Sequence, residues 1–280
     1  MSVLSRFYTY EVMDNAIISS VSSEETNHPA EHAIRPLEPN FAWQTDENGV
    51  QHVIVIDLGA SHVVDGYSFI HHETESEGPS PVYSGISITC ESSNNALNWT
   101  TQPIEDAYGD AIDDGDDFVH LIKIRHLTNA PTTARYWRFT VAGLEYPFYA
   151  PEDARISMLW LFTYHFIDKG PGTPLDDVIA YPGDVFDTSC GSRFTTGHSI
   201  NPSTISTRTW GVSHTEYDIL LTAIKKCNGG YRPFLLVEND GEHRLCQFVD
   251  SFEETILDTD FYLVTAKITQ WPIVQKDKVH

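Results

Sequence analysis

Cations are scarce in this chain: its 280 residues carry 17 Lys and Arg against 40 Asp and Glu, a formal net charge of −23. Such an excess repels phosphate backbones and anionic lipid surfaces, so neither nucleic-acid binding nor membrane insertion is expected. No stretch approaches the roughly 20 apolar residues of a membrane helix. The first residues lack the apolar core of a signal peptide, which sets the expectation of a protein made in a cytoplasm and not exported by that route. Cysteine is sparse as well. Cys90, Cys190, Cys227 and Cys246 are widely spaced without a CxxC pair, so buried free thiols are expected rather than zinc or a redox motif. Nucleophile elbow, P-loop, dinucleotide fingerprint and HExxH are all missing. That argues for a protein that is not an enzyme and has no cofactor, although two unmarked carboxylates among forty acids leave glycoside cleavage open.

What the chain does have is short apolar runs, 12% aromatic residues and many turn formers, a mainly β texture. Its length suits two ordinary domains. Val53-Ile54-Val55-Ile56 is wholly β-branched and too short for a helix, which predicts a strand buried on both faces and stopped by Gly59. Arg135-Tyr136-Trp137-Arg138-Phe139 alternates. Tyr136, Arg138 and Thr140 fall on one face and Trp137, Phe139 and Val141 on the other, the period of a strand with one wet face. Arg135 and Arg138 read as partners of acids on neighbouring strands, and Trp43, Trp99 and Trp137 as core.

Ser22-Ser23, His28-Pro29-Ala30, Ala33, Trp43, Asp57-Leu58-Gly59, Tyr83-Ser84-Gly85-Ile86-Ser87-Ile88, Trp99 and the Arg135 strand follow one another in that order. The series resembles a discoidin-type, galactose-binding-like β-sandwich over residues 22–162. The resemblance implies an eight-stranded jelly roll that binds sugars, lipids or proteins through loops at one end. Members often hold a structural calcium with an Asp-Gly pair shortly after the family's Ala and a Glu in the last strand. Here Ala33 is followed by Ile34-Arg35-Pro36 and the last strand reads Ile156-Ser157-Met158-Leu159-Trp160-Leu161-Phe162, so no metal is expected. The acidic run from Asp110 to Asp117 also misses the EF-hand pattern, with Ile112 at the third position, and reads as a solvated loop.

Three segments supply candidate ligand contacts. Asn40-Phe41 precedes Trp43 in a loop that often carries contacts in discoidin domains. His71-His72-Glu73 closes a strand over residues 66–70, where paired imidazoles can hydrogen-bond sugar hydroxyls or ligate a metal. Tyr146-Pro147-Phe148-Tyr149 offers aromatic rings for stacking on a sugar or a partner. Plainer readings stand beside them: an ordinary strand end for His71 and His72, and a plug in the end of the sandwich for Tyr146, Phe148 and Tyr149.

Residues 1–21 read as a leading strand or arm, or as the first strand of the sandwich, which occupies residues 22–167. Two Gly and two Pro mark residues 168–174 as a linker. Residues 175–280 form a small β-sandwich or α+β domain with one helix, predicted over residues 215–227 from the Ser213 and Glu216 capping-box spacing and the stripe Ile219, Leu220, Ala223, Ile224, Cys227. A hairpin is predicted around Asn239-Asp240-Gly241 and a strand over residues 261–268.

The order Arg193-Phe194, Trp210-Gly211-Val212-Ser213, the helix, Gly229-Gly230-Tyr231-Arg232-Pro233-Phe234, the hairpin and the aromatic strand closing at Trp271-Pro272 resembles domains of tail-tip and distal-tail proteins of tailed bacteriophages. That implies a homo-oligomeric ring, a hexamer favoured, with other virion tail proteins as partners and the virion tail as location. Ring closure needs two different contact surfaces per protomer. Trp210, Tyr231, Phe234 and Trp271 are the assembly candidates. The expected function is a structural tail-tip or baseplate component whose sandwich binds a host-surface glycan or a protein. The alternatives are a virion decoration or adaptor protein without sugar binding, and a cellular lectin-like protein.

Overall fold

The computed structural model describes residues 5–34, 42–45, 51–71, 86–106, 122–143, 155–168, 177–180, 183–187, 193–197, 203–227, 232–237, 243–249 and 252–270. It is mainly β. The strands are β1 Ser5–Thr9, β2 Ile17–Val21, β3 Trp43–Gln44, β4 His52–Val64, β5 Gly66–His71, β6 Ile86–Ser93, β7 Thr100–Gln102, β8 Ile104–Asp106, β9 Ile122–Leu127, β10 Thr132–Gly143 and β11 Arg155–Ile167. Then follow β12 Asp177–Ala180, β13 Gly183–Asp187, β14 Arg193–Gly197, β15 Ser203–Ser213, β16 Phe234–Val237, β17 His243–Phe248, β18 Glu253–Asp258 and β19 Phe261–Gln270. A one-turn helix α1 covers Glu31–Ile34 and the longer α2 covers His214–Lys226.

The chain divides into two compact units, one of Tyr10–Thr163 and one of Met1–Thr9 with Tyr164–Val274. The first is therefore an insertion in the second, placed directly after β1. This division differs from a simple succession of domains. Residues 1–21 split, with β1 pairing β16 through Arg6 and Val237 while β2 pairs β4 through Ile17 and Asp57. The boundary falls inside β11, and residues 169–174 of the expected linker lie outside the described residues.

In the inserted unit one sheet runs β2-β4-β10-β6-β7, and the other contains β11-β5-β9-β8 with β3 against β11. Trp43, Ile54, Ile56, Trp137, Phe139 and Leu159 are fully buried in its core. The alternation in β10 is as expected: Trp137, Phe139 and Val141 are buried, and Tyr136, Arg138 and Thr140 are partly exposed. β4 is buried on both faces over Ile54 to Ile56, but Gly59 does not stop it. At φ +78° Gly59 lets the strand pass through an irregular stretch and continue to Val64, a conformation that costs a residue with a Cβ far more. β11 also buries both faces, Leu159 and Leu161 in the sandwich core and Met158, Trp160 and Phe162 on the other.

The second unit has the strand order β12-β15-β19-β17-β16-β1, with β18 beside β19 and β13 paired with β14. α2 starts one residue before the predicted position. Its capping box is formed: Glu216 Oε2 accepts from Ser213 N at 2.9 Å, and Ser213 Oγ accepts from Glu216 N. Leu220, Ala223 and Ile224 bury against the sheet, as the stripe required. The hairpin is present, with Phe234 opposite Cys246. Phe7 packs against Trp210 and Phe234, with ring centroids 5.9 and 5.8 Å apart. Trp210 and Phe234 are thus core residues with no exposed surface. Tyr231 and Trp271 lie outside the described residues. Cys90, Cys227 and Cys246 are buried thiols outside any disulfide.

Candidate functional site

Strand direction gathers one set of strand ends in the inserted unit. Gly143, where β10 ends, pairs with Ile86, where β6 begins. His52 opens β4 opposite Val141. Ile156 near the start of β11 pairs with His71 at the end of β5 and with Trp43, and Ile122 opens β9 opposite Ile70. All these termini share one end of the sandwich, while β4 and β5 are joined at the other end through Asp65 alone. His71 stands at the gathered end. His72, Tyr146, Phe148 and Tyr149 belong to connections between these strand ends and lie outside the described residues. Asn40, Phe41 and the Asp110 to Asp117 run lie outside them too.

A second constellation occupies the outer face of the five-stranded sheet and is fully described. Opposite β4, the register of β10 shifts between Ala134 and Tyr136. At this shift the Arg135 guanidinium meets Asp57, Nε to Oδ1 at 2.7 Å and Nη2 to Oδ2 at 2.8 Å. Asp57 Oδ1 also accepts from Gly59 N at 2.8 Å. These bonds, Arg135's foremost, hold the Asp57 carboxyl below the usual carboxylate range. The same guanidinium lies 4.8 Å from the centre of the Tyr136 ring. Three residues on, the pattern repeats: Arg138 Nε donates to Glu91 Oε2 at 2.6 Å, and its guanidinium covers the Trp99 ring at 4.4 Å.

Each arginine therefore sits between a carboxylate and an aromatic ring. The side chains keep 39% exposure at Arg135 and 30% at Arg138. Pairing with acids matches the sequence expectation, but Trp99 is partly exposed and not core. Its polar neighbours Asn98 and Thr100, and the wet-face position of Arg138, were the signals in the sequence. Asn95 shapes the loop that delivers Trp99: its Oδ1 accepts from Leu97 N and Asn98 N, both at 2.9 Å, and Ala96 adopts φ +56°. Such fixed rings and planar polar groups suit recognition rather than proton transfer. Among the described residues no group of three or more His, Cys, Asp or Glu could hold a metal ion.

In the other unit Tyr217 and Tyr262 stack at 4.6 Å, and Tyr217 donates to Glu254 Oε2 at 2.6 Å. That hydrogen bond pushes the Tyr217 phenol up to about 12. His214 Nδ1 meets Tyr262 OH at 3.0 Å. The cluster clamps α2 to the β18 and β19 hairpin.

No protein-family model matches the chain, and no curated protein matches it. Among solved structures it is similar to a carbohydrate-binding module, CBM32-3, of a family 31 glycoside hydrolase from Clostridium perfringens, at 15% identity and a TM-score of 0.41, over 54% of this chain and 92% of that one. It is also similar to the C-terminal domain of a chitobiase from Bacteroides fragilis, at 16% identity and TM-score 0.39, over 56% and 97%. A third is the family 32 module of NanJ from C. perfringens in complex with galactose, at 16% identity and TM-score 0.38, over 56% and 99%.

Proposed function

We propose that this chain is a non-enzymatic structural component of a phage tail tip or baseplate, in which an assembly unit carries an inserted recognition sandwich. The observation that carries the reading is the insertion itself. A recognition module can interrupt a host domain cheaply when its own two ends are adjacent. Here they are: Thr163 Oγ1 donates to Glu11 Oε1 at 2.8 Å, and Tyr10 packs edge-on against Trp160 at 4.8 Å. Within the interrupted unit, β1 pairs β16. The likeness of residues 193–272 to distal-tail domains supports a ring, a hexamer favoured, with other tail proteins as partners in the virion. Rings multiply weak contacts, so a modest glycan or protein site on each sandwich gives avidity without one strong site.

The gathered strand ends around His71 are the proposed contact region, with His72, Tyr146, Phe148 and Tyr149 as its side chains. Tagged full-length protein, made multivalent, is offered to a glycan array and to candidate host cells. Binding that Tyr149→Ala or His72→Ala removes is the expected result. Silence on every surface from folded protein would contradict host recognition and leave the adaptor role.

A further inference from the structure

The outer face of the five-stranded sheet holds two assemblies that stability alone does not explain. Solvent-accessible ion pairs contribute little to stability. A strand that merely needed a wet face could carry Thr and Ser, as β7 does with Thr100 and Thr101. Instead Arg135 meets Asp57 at the register shift between β4 and β10, and the Asn95 loop places the Trp99 ring against the Arg138 guanidinium.

We infer that this face is a saccharide site for a neutral oligosaccharide lying along β10 between the Trp99 and Tyr136 rings. The inference rests on the recognition reading above and gives the sandwich a second site, at a distance from the gathered strand ends. A pyranose offers an apolar face of C–H bonds and a rim of hydroxyls. Partly exposed rings take the first. Arg135, Arg138, Asp57 and Glu91, fixed in plane by one another, take the second as donors and acceptors. Three residues along a strand span roughly 10 Å, so the two assemblies suit two linked sugars rather than one. Neutrality of the ligand follows from charge. Each guanidinium is already balanced by its own carboxylate, and the chain's net charge of −23 disfavours anions.

The test titrates the full chain with lactose, cellobiose, N,N′-diacetylchitobiose and 3′-sialyllactose, following tryptophan fluorescence and calorimetry. Trp99→Ala and Tyr136→Ala are expected to weaken a neutral disaccharide at least tenfold with an unchanged melting temperature. Thr101→Arg, an exposed edge-strand change opposite Glu91, should obstruct the face without touching the core. Binding that ignores all three variants but is lost in Tyr149→Ala would overturn this site and leave the recognition reading standing. Preference for the sialylated sugar, or no binding by any sugar, would overturn it as well; the latter removes sugar recognition altogether.

Discussion

Two residues show how closely the inserted unit is fitted. A Cβ at Gly66 would lie 2.2 Å from the Arg125 carbonyl oxygen and 2.5 Å from the Phe162 ring. Backbone cannot retreat at such a distance, so Gly66→Ala should destabilise the unit by about 1–3 kcal/mol, read as a lower denaturation midpoint at unchanged slope. Asp57 carries a pH signature. Its folded pKa is depressed, so its contribution is present above the unfolded carboxylate value of about 3.9 and is lost as pH falls through the folded value. Melting curves should show Asp57→Asn less stable than the parent at pH 7, with the gap closing as pH falls below the unfolded carboxylate value. An unvarying gap would contradict the pairing. The Arg138 pair could be expected from its place on a wet strand face, whereas the Gly66 contact could not, because it depends on which ring crosses which carbonyl.

Elements with local signals were legible from sequence. α2 has a cap, a stripe and basic residues in its last turn, all between Ser213 and Cys227, and it forms as predicted to within one residue. Removing the cap by Ser213→Ala should cost about 1 kcal/mol and lower the melting temperature of the second unit, whereas Ser213→Thr should keep most of it. The hairpin of β16 and β17 and the alternation of β10 were equally local. Gly59 was misjudged because a positive-φ glycine serves a bulge as well as it serves a strand end, and only the partner strand decides. Trp99 was misjudged because a tryptophan near a strand is commonly core. Here the ring is partly exposed and lies against the Arg138 guanidinium of β10, a pairing no local pattern announces.

At the scale of the molecule, the nesting of one unit within the other was hidden. Residues 1–21 carry no signal beyond that of strands, and the pairing of Arg6 with Val237 spans most of the chain, beyond any local pattern. The Gly- and Pro-rich segment at residues 168–174 drew the boundary to itself, although contacts divide the chain within β11. Nesting makes a direct demand: the outer unit should survive loss of the insert. The measurement is light scattering on a chain in which residues 10–163 are replaced by a short Gly-Ser link from Thr9 to Tyr164, run beside the full-length protein and with sugar binding assayed in both. The account predicts a folded protein with the same subunit number as the parent and no sugar binding. An unfolded product, a change to monomer, or retained sugar binding would contradict it.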